Sequence, residues 1–495
     1  MNILLLSNSA PNYFHFFNAL AQLFAEDGAT IHIAVDSHFS ARENGLDKLG
    51  FATVHEFEAF FQQHRTDHAI LQRYADCNLN GALLSDFERA QVYGIWGRGA
   101  DLAFFDRLKS ALLCFFERIF AQHQIDTVLY ENVSNAFAHF ALFVAQKHGA
   151  QYLGLGASRL PGRFSVSADP LNDGELARTF ADIRAGQRSV PADVRQWAAS
   201  YIDGIEQIVP DYMKINGLDN LGIWKRYVRR DRLRKVRSLL RHAFDGRTGA
   251  FQIGNPLLTH ARLFARNARR RLRARHVRKF YQPAQTGERF LLYPLHFHPE
   301  ASTSILAGAY LDEYEVIRNI AFSLPEGLRL YVKDHLSAWA YPDMAFYRRL
   351  TALPNVRLLP PEAPTKQLIK QSEAVITLTS TVGYEALLLN RPVFLFGRVF
   401  YEFHQGVQRI TDIGDLWNIL RAGLAAPPQW SADYNIDFVC AYYLTTLPGS
   451  LNLLQTGPAA RQTAAHVYDA LLKSGRIAPA HASAAASACR IGLPD

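Results

Sequence analysis

Cysteine is scarce in this chain of 495 residues, and long apolar runs are absent. The four cysteines, Cys77, Cys114, Cys440 and Cys489, lie far apart and form no Cys-x-x-Cys pair. This pattern indicates neither a disulfide framework nor a zinc knuckle, and a reducing cytoplasm is the expected environment. No apolar run reaches the roughly 20 residues that span a bilayer. The opening residues, MNILLLSNSAPNYF, lack a basic leader and predict a first β-strand rather than a signal peptide.

Acidic residues are almost missing from one segment. Between Lys225 and Lys279 lie 19 of the 53 Lys and Arg residues but only two of the 45 Asp and Glu residues. The segment is helical in pattern, with aliphatic residues among the arginines. Such a segment is typical of helices that bind an anionic membrane surface, or of a solvated helical hairpin that links two domains. We expect no nucleic-acid partner, because the sequence contains no recognised nucleic-acid-binding module.

Strand-like and helix-like patterns alternate in two parts of the chain. Residues 1–180 and residues from Arg289 to about 425 both alternate short apolar runs with amphipathic helices. Such alternation predicts parallel sheets covered by helices. We therefore predict an α/β protein with two Rossmann-like domains that face each other across a cleft, with a basic helical insertion between them. The predicted segments are an N-terminal domain at 1–180, a helical basic linker at 181–288, a C-terminal domain at 289–425, C-terminal helices at 426–475 and a disordered tail at 476–495.

Two βα turns of the second domain carry groups suited to phosphate. In ITLTSTVGYEALLLN a strand is followed by Thr379, Ser380 and Thr381, with Gly383 in the predicted turn. The free N–H groups and the dipole of the following helix favour an anion, although an ordinary N-cap has the same composition. The strand LRLYVKDH delivers Lys333 and His335 to its carboxyl end, where they would contact a phosphate or remain a solvated lysine and a capping histidine.

The stretch LLYPLHFHPEASTS concentrates polar chemistry at the end of one strand. His296 and His298 are spaced to share a face, which is compatible with a metal site, but no further ligand follows at a characteristic spacing. Polar catalysis by Glu300, held by the two imidazoles, is an alternative reading. The third is an N-cap cluster for the next helix.

YPLHFHPEAST, RLYVKDH and TSTVGYEALLLNRPVFLFG, in this order and spacing, resemble the capsule polysaccharide biosynthesis family. That family includes the bacterial Kdo (3-deoxy-manno-octulosonate) transferases of capsule and O-antigen assembly. The resemblance is strong over roughly 289–405 and weaker in the N-terminal half, where YENVSNA and GASRLPGRF look like family features. One departure is Leu336, which stands where the family usually has the proline of Lys-x-His-Pro.

The resemblance implies a GT-B glycosyltransferase whose C-terminal domain holds a nucleotide sugar, most often CMP-Kdo. Lys333, His335, Ser380, Thr381 and Gly383 would bind the nucleotide without a metal. By its loop position Glu300 would be the nucleophile of a retaining reaction, oriented by His296 and His298.

The N-terminal domain would then bind the acceptor. Glu131, at a strand end, is the predicted general acid or base, unless it caps the helix that begins near Asn135. Arg159 and Arg163 are predicted to bind a donor carboxylate or an anionic acceptor, because a guanidinium fork suits carboxylates. Asn8, Ser9 and His15 would contact the acceptor or simply cap a loop.

The sequence thus predicts a cytoplasmic glycosyltransferase of bacterial surface polysaccharide synthesis, free or peripheral at the inner face of the inner membrane. Its partners would be CMP-Kdo or a related CMP-ulosonate and a glycan or glycolipid acceptor, with an anionic membrane surface contacted through 225–279. The alternatives are a transferase that uses a UDP- or GDP-sugar, a sugar-nucleotide epimerase, and a non-catalytic component that docks an assembly complex on the membrane.

Overall fold

The structure, a computed structural model, describes residues 1–97, 100–171, 174–208, 239–240 and 254–478. The chain divides into two compact units, and each unit is discontinuous in sequence. The first contains the described residues of 1–170, 209–263 and 446–495, and the second those of 171–208 and 264–445. The domain boundaries predicted from the sequence stay predictions. The predicted disordered tail lies outside the described residues from 479 onward.

The first unit is built on a seven-stranded sheet with the order β13-β6-β5-β4-β1-β2-β3. Its strands are β1 Asn2–Ser7, β2 Thr30–Val35, β3 Ala52–Glu56, β4 Thr127–Glu131, β5 Gln151–Ala157, β6 Arg163–Ser167 and β13 Thr446–Pro448. The strands from β5 to β3 run parallel, whereas β6 and β13 extend the sheet in antiparallel pairings. β1 (NILLLS) is buried from Ile3 to Ser7, as expected of a central parallel strand covered on both faces.

The second unit is built on a six-stranded sheet with the order β12-β11-β10-β7-β8-β9. Its strands are β7 Phe290–Pro294, β8 Arg329–Lys333, β9 Val356–Leu359, β10 Ala374–Thr377, β11 Val393–Leu395 and β12 Val407–Arg409. All the pairings in this sheet are parallel. The chain enters this sheet in the middle, at β7. It adds β8 and β9 on one side and then β10, β11 and β12 on the other.

Helices connect the strands of both units. In chain order they are α1 Tyr13–Glu26, α2 His38–Glu43, α3 Phe57–Gln63, α4 His68–Arg73, α5 Leu79–Leu84, α6 Phe87–Tyr93, α7 Leu102–His123, α8 Ala136–Lys147, α9 Gly174–Arg184, α10 Ala192–Asp203, α11 Pro256–Val277, α12 Ala301–Ser304, α13 Glu313–Phe322, α14 Met344–Thr351, α15 Thr365–Gln371, α16 Thr381–Leu388, α17 Leu416–Ala425, α18 Ala432–Thr445 and α19 Gly457–Lys473. Short 3-10 turns occupy Leu46–Lys48, Arg278–Phe280 and Gly308–Tyr310. The buried face of α1 repeats at helical spacing through Phe16, Leu20 and Phe24, and Phe24 packs edge-on against Tyr468 of α19.

The predicted fold class is confirmed, because both units are parallel-rich α/β sheets covered by helices. The sequence did not predict the antiparallel edge formed by β6 and β13. These strands are short, and the paired residues of β6 and β13 lie about 280 residues apart in the chain. No local sequence pattern therefore predicts the pairing. Within the described residues, no helix is both long and apolar enough to cross a membrane.

Candidate functional site

The centre of the second sheet provides the setting for a ligand site. β7 lies between β10 and β8. The order of the strands reverses here, because β8 is added on one side of β7 and β10 on the other. In open α/β sheets ligands bind outside the carboxyl ends of strands, at the point where the strand order reverses. Three polar turns follow these ends: His296 to Glu300 after β7, Asp334 and His335 after β8, and Thr379 to Thr381 after β10.

His296 ties two of these turns together. Its Nδ1 lies 2.7 Å from Oε1 of Glu313, and its Nε2 lies 3.3 Å from the backbone nitrogen of Thr379. The backbone N–H can only donate, so Nε2 accepts and Nδ1 carries the proton that is donated to Glu313. The hydroxyl of Thr377 lies 3.2 Å from the same Nε2. With both ring nitrogens engaged, His296 positions the turn after β10 and is not available as a metal ligand.

Glu313, the first residue of α13, is the buried partner of both predicted histidines. Its Oε1 also accepts hydrogen bonds from the backbone N–H of His296 at 3.0 Å and from the Tyr293 hydroxyl at 3.1 Å. Nε2 of His298 lies 3.4 Å from Oε2 of Glu313. Burial raises the pKa of this carboxyl, but the hydrogen bonds from His296 and His298 outweigh burial and hold the pKa at about 2.

The sequence did not identify Glu313 and predicted that the histidines support Glu300. That expectation is corrected for His296, whose side-chain partners are Glu313 and the turn after β10. The side chain of Glu300 instead accepts from the Ser302 hydroxyl at 3.2 Å and remains exposed at the start of α12. Thr379 completes the junction by donating its hydroxyl to the carbonyl of Ser302 at 2.9 Å.

The turn after β8 brings a buried cation beside the junction. Nζ of Lys333 donates to the carbonyls of Pro361 at 3.0 Å and Asp334 at 3.3 Å, and burial lowers its pKa to about 8. Burial also lowers the pKa of His335 to about 4, and the charge of Lys333 lowers it further. The structure therefore brings Lys333, His335 and His296 within electrostatic reach of one another.

Asp334 anchors this turn. It accepts hydrogen bonds from the Tyr281 hydroxyl at 2.7 Å, the Tyr347 hydroxyl at 3.1 Å and the His335 N–H at 2.8 Å. Burial raises the pKa of Asp334 to about 6 in spite of these bonds. Sequence reasoning missed this role and singled out only the residues on either side, Lys333 and His335.

Ser380 caps α16 at the junction. Its hydroxyl accepts from the N–H of Val382 at 3.1 Å, and Thr381 begins the helix. Gly383 lies in the first turn of α16, not in the loop before it as predicted. A Cβ at this position would lie 2.3 Å from the hydroxyl of Tyr401, which donates to the carbonyl of Ser380. Gly383 is therefore required for the approach of Tyr401, which holds the cap.

Part of the basic segment has an intramolecular role. Arg266 of α11 donates to the carbonyl of His298 at 3.0 Å, and Arg270 donates to the carbonyl of Trp339 at 2.8 Å. Both guanidinium groups lie over the ring of Tyr341, at 4.4 and 4.3 Å from its centroid. These arginines hold the loops after β7 and β8. About half of the predicted membrane-contacting segment, residues 225–238 and 241–253, lies outside the described residues.

Glu131 lies at the carboxyl end of β4 in the first unit. Its Oε1 accepts from the Ser134 hydroxyl at 2.6 Å. Burial raises its pKa, while hydrogen bonds from Ser134 and Tyr13 and the charge of Arg89 act in the opposite direction. The N-cap of α8 is Asn135, whose side chain accepts from the Ala138 N–H, so Glu131 does not have the capping role considered as its alternative.

The other predicted residues of the first unit are held locally. Asn8 follows β1, and its Oδ1 accepts from the Ala10 N–H at 2.9 Å. His15 lies in the first turn of α1, and burial lowers its pKa. Arg163 joins β6 to β13 through the hydroxyl of Thr446 at 2.8 Å. Arg159 lies partly buried in the loop after β5, and Ser9 lies partly buried after β1.

Sequence reasoning missed a buried pair of acidic residues, Asp36 directly after β2 and Glu58 in the first turn of α3. Burial raises the pKa of Asp36 to about 7, and the charge of Glu58 adds to the effect. Ser37 and Ser40 stabilise the carboxylate, and the N–H of His38 donates to Glu58 at 3.0 Å. The pair lies at the carboxyl edge of the first sheet, where ligands of such sheets bind. Its members are 22 residues apart, so spacing alone does not connect them.

The junction of β7, β8 and β10 lies within a segment that is similar to a known family. Residues 244–425 match the family of capsule polysaccharide biosynthesis proteins. The family resemblance predicted from the motifs is confirmed over this segment. No protein in the curated set matches the chain.

Several solved structures are similar at low identity. The KpsC beta Kdo 2,4 transferase of Thermosulfurimonas dismutans is 13% identical with a TM-score of 0.35, over 69% of this chain and 87% of that one. The beta Kdo 2,7 transferase of the same organism's KpsC is 11% identical with a TM-score of 0.32, over 73% and 89%. The UDP-GlcNAc 2-epimerase of Neisseria meningitidis is 11% identical with a TM-score of 0.29, over 96% and 100%. Similarity at this level assigns no activity to this chain.

Proposed function

We propose that this chain is a glycosyltransferase of surface polysaccharide synthesis that transfers Kdo, or a related ulosonic acid, from a CMP-sugar to a glycan or glycolipid acceptor. The observation that carries the proposal is the junction at the reversal point of the second sheet. There His296 links Glu313 to the turn after β10, beside Lys333 and within the segment that matches the capsule polysaccharide family.

The donor phosphate would bind at the N-terminus of α16. Ser380 and Thr381 place their hydroxyls there, and the dipole of α16 favours an anion. Lys333 supplies a positive charge at neutral pH, since its pKa of about 8 lies above that pH. Lys333 and the helix terminus together would balance the phosphate charge without a metal ion, and the uncharged His335 would donate a hydrogen bond.

Glu300 is the proposed nucleophile. A retaining transfer needs a carboxylate that first attacks the anomeric carbon and expels CMP, and is then displaced by the acceptor hydroxyl. Of the two carboxylates near the end of β7, Glu313 is buried and its Oε1 already accepts three hydrogen bonds, whereas Glu300 is exposed. Glu313 is therefore a positioning residue, and Glu300 is the carboxylate that can meet a ligand.

For the acceptor we propose Glu131 as the general base, with Asn8, His15, Arg159 and Arg163 as acceptor-binding residues. The raised pKa of Glu131 brings its titration closer to neutral pH, which suits proton transfer. We propose a cytoplasmic location and, for residues 225–279, contact with an anionic membrane surface. Binding to anionic vesicles that survives neutral replacement of the arginines in that segment would refute the membrane contact.

Nucleotide binding tests the donor assignment. Thermal shift and calorimetry on the full chain should show stabilisation by CMP and not by UDP or GDP. The Lys333→Met variant should bind CMP at least about tenfold more weakly, because a charged hydrogen bond is worth about 1.5–3 kcal/mol. Lys370→Met is the matched control, since Lys370 is exposed and pairs with Glu206. Stabilisation by UDP alone would refute the CMP assignment, and no nucleotide effect would refute the transferase proposal.

Transfer activity tests the nucleophile separately. Glu300→Gln should keep CMP binding and lose about 10³-fold or more of the CMP-Kdo-dependent transfer rate, as is typical when a nucleophile is removed. Glu326→Gln is the control, because Glu326 lies in the loop before β8. Full activity of Glu300→Gln would show that another group forms the bond to the sugar.

A further inference from the structure

Three histidines of the first unit lie together, away from the residues discussed above. His32 is on β2, His55 is on β3 and His123 is the last residue of α7. One ring nitrogen from each lies within 4.8 Å of the others. Nδ1 of His32 is 3.2 Å from Nε2 of His55, and the ring centroids of His32 and His123 are 4.3 Å apart.

The sheet register explains how residues so far apart in sequence meet. In the parallel pairing of β2 with β3, His32 lies opposite Thr53 and Ala34 lies opposite His55. Side chains of alternate residues share a face, so both imidazoles project from the same side of the sheet, two positions apart. His123, at the carboxyl end of α7, reaches the same spot.

The spacing of the nitrogens fits a tetrahedral metal. Two ligands at about 2.0–2.1 Å from zinc in tetrahedral geometry lie about 3.3–3.4 Å apart. The nitrogens of His32 and His55 are 3.2 Å apart, which is close to that value. The nitrogen of His123 lies within 4.8 Å of both, so its side chain would have to move by only about 1–1.5 Å to complete the set. Three imidazoles with one open position are an established ligand set for zinc.

We propose that His32, His55 and His123 form a binding site for a divalent transition metal ion, with zinc as the ion that best suits three imidazoles. The bound ion would connect β2, β3 and the end of α7. His123 precedes the start of β4, whereas Glu131 lies at the other end of that strand, so the site is separate from the proposed transfer chemistry.

The protonation state of the cluster is compatible with this role. Burial lowers the pKa of His32 and of His55 to about 4, and mutual repulsion within the cluster acts in the same direction. At neutral pH each ring is therefore uncharged and has one nitrogen with a lone pair, as a metal ligand must. The facing nitrogens of His32 and His55 lie at hydrogen-bond distance, and a bound ion would replace the proton between them. The charge of Arg118, on α7, also lowers the pKa of His55, so this cation is close enough to weaken binding of a divalent ion.

The test is metal content and zinc affinity of the full chain. The protein is produced with an affinity tag that lacks histidine, stripped with a chelator and titrated with zinc against a chromophoric competitor. We expect one equivalent of tightly held zinc and a higher melting temperature on loading. Cobalt loading should give the visible absorption of a tetrahedral site. A wild-type protein that holds no zinc against the competitor refutes the site.

Variants locate the ion. Each of His32→Gln, His55→Gln and His123→Gln should lower zinc affinity by at least about 100-fold, the upper end of what loss of an outer-shell partner alone causes. His148→Gln is the control, because His148 is partly exposed and pairs with Glu117 outside the cluster. Arg118→Gln should raise the affinity. One tight equivalent that survives all three cluster variants also overturns the proposal, and unfolding of one variant leaves the wild-type result and the other two decisive.

Discussion

Glu313 is the carboxylate whose loss we expect to weaken the second unit most. We consider Glu313→Gln, which preserves the size of the side chain but removes its charge. One oxygen survives and still accepts a hydrogen bond. The new amide NH₂ cannot accept from His298, and the charge-assisted bond from His296 becomes a neutral one.

The size of the effect follows from the pKa of Glu313. A carboxyl held at about 2 in the folded chain and near 4.5 when unfolded contributes about 3 kcal/mol to the free energy of unfolding at pH 7. Breaking a buried pair by removing one partner costs about 3–5 kcal/mol, which agrees. At about 2–4 °C per kcal/mol for a unit of this size, Glu313→Gln should lower the melting temperature by about 6–20 °C.

The pH dependence supplies a second check. Because the folded pKa is depressed, the contribution of Glu313 is complete above about pH 5 and declines as the pH falls toward 2. The difference between wild type and Glu313→Gln should therefore shrink by about 1 kcal/mol from pH 7 to pH 4. Denaturant titrations at the two pH values measure it.

Glu315→Gln is the matched control, two residues further along α13. Glu315 pairs with Arg318 and Arg349 at the surface, where such pairs contribute about 0–1 kcal/mol. If Glu313→Gln is no more destabilising than Glu315→Gln, or if its effect is independent of pH, then the two histidines are not held by the charge of Glu313 and the account of the junction fails.

Three further predictions concern single residues. Gly383→Ala should destabilise the protein by about 1–3 kcal/mol through the clash with Tyr401, and Tyr401→Phe should recover part of this in denaturant titrations of the double variant. CMP affinity measured by calorimetry should fall by about tenfold or more between pH 7 and pH 9, as Lys333 loses its charge above about pH 8, and Lys333→Met should abolish this dependence. Because burial raises the pKa of Asp36 to about 7, the free energy of unfolding of the wild type should fall as the pH rises from about 4 to 7. At pH 8, Asp36→Asn should therefore be more stable than the wild type by up to about 4 kcal/mol in denaturant titrations.

The sheets were largely predictable because parallel strands are buried on both faces and stand out as short apolar runs. The runs NILLLS, TIHIAV and FLLYP form the observed strands Asn2–Ser7, Thr30–Val35 and Phe290–Pro294. The strand Ala52–Glu56 is harder to predict because it lies at the sheet edge, where none of its residues is fully buried. Its sequence, ATVHE, has no apolar run to reveal it.

The candidate site was predictable only in part, because sequence reasoning finds residues that are neighbours along the chain. The turns after β7, β8 and β10 were recognised from their hydroxyls, histidines and lysine. Glu313 was not, since it lies 17 residues after His296, at the start of an amphipathic helix whose acidic first turn is what any helix favours. Only the fold brings that helix terminus beneath the histidines.

The contrast between Glu300 and Glu313 shows how environment assigns roles to identical side chains. Both follow β7 and both lie at the start of a helix. Glu313 is buried and saturated with hydrogen bonds, so its charge is fixed and its oxygens are unavailable to a ligand. Glu300 is exposed and accepts from the Ser302 hydroxyl. A nucleophile needs an available oxygen and a positioned backbone. His296 donates to Glu313 and accepts from the Thr379 N–H, and these two bonds hold the loop after β7, the frame that carries Glu300. Loss of Glu313 should therefore lower transfer activity through the frame, while loss of Glu300 should remove it with the frame intact.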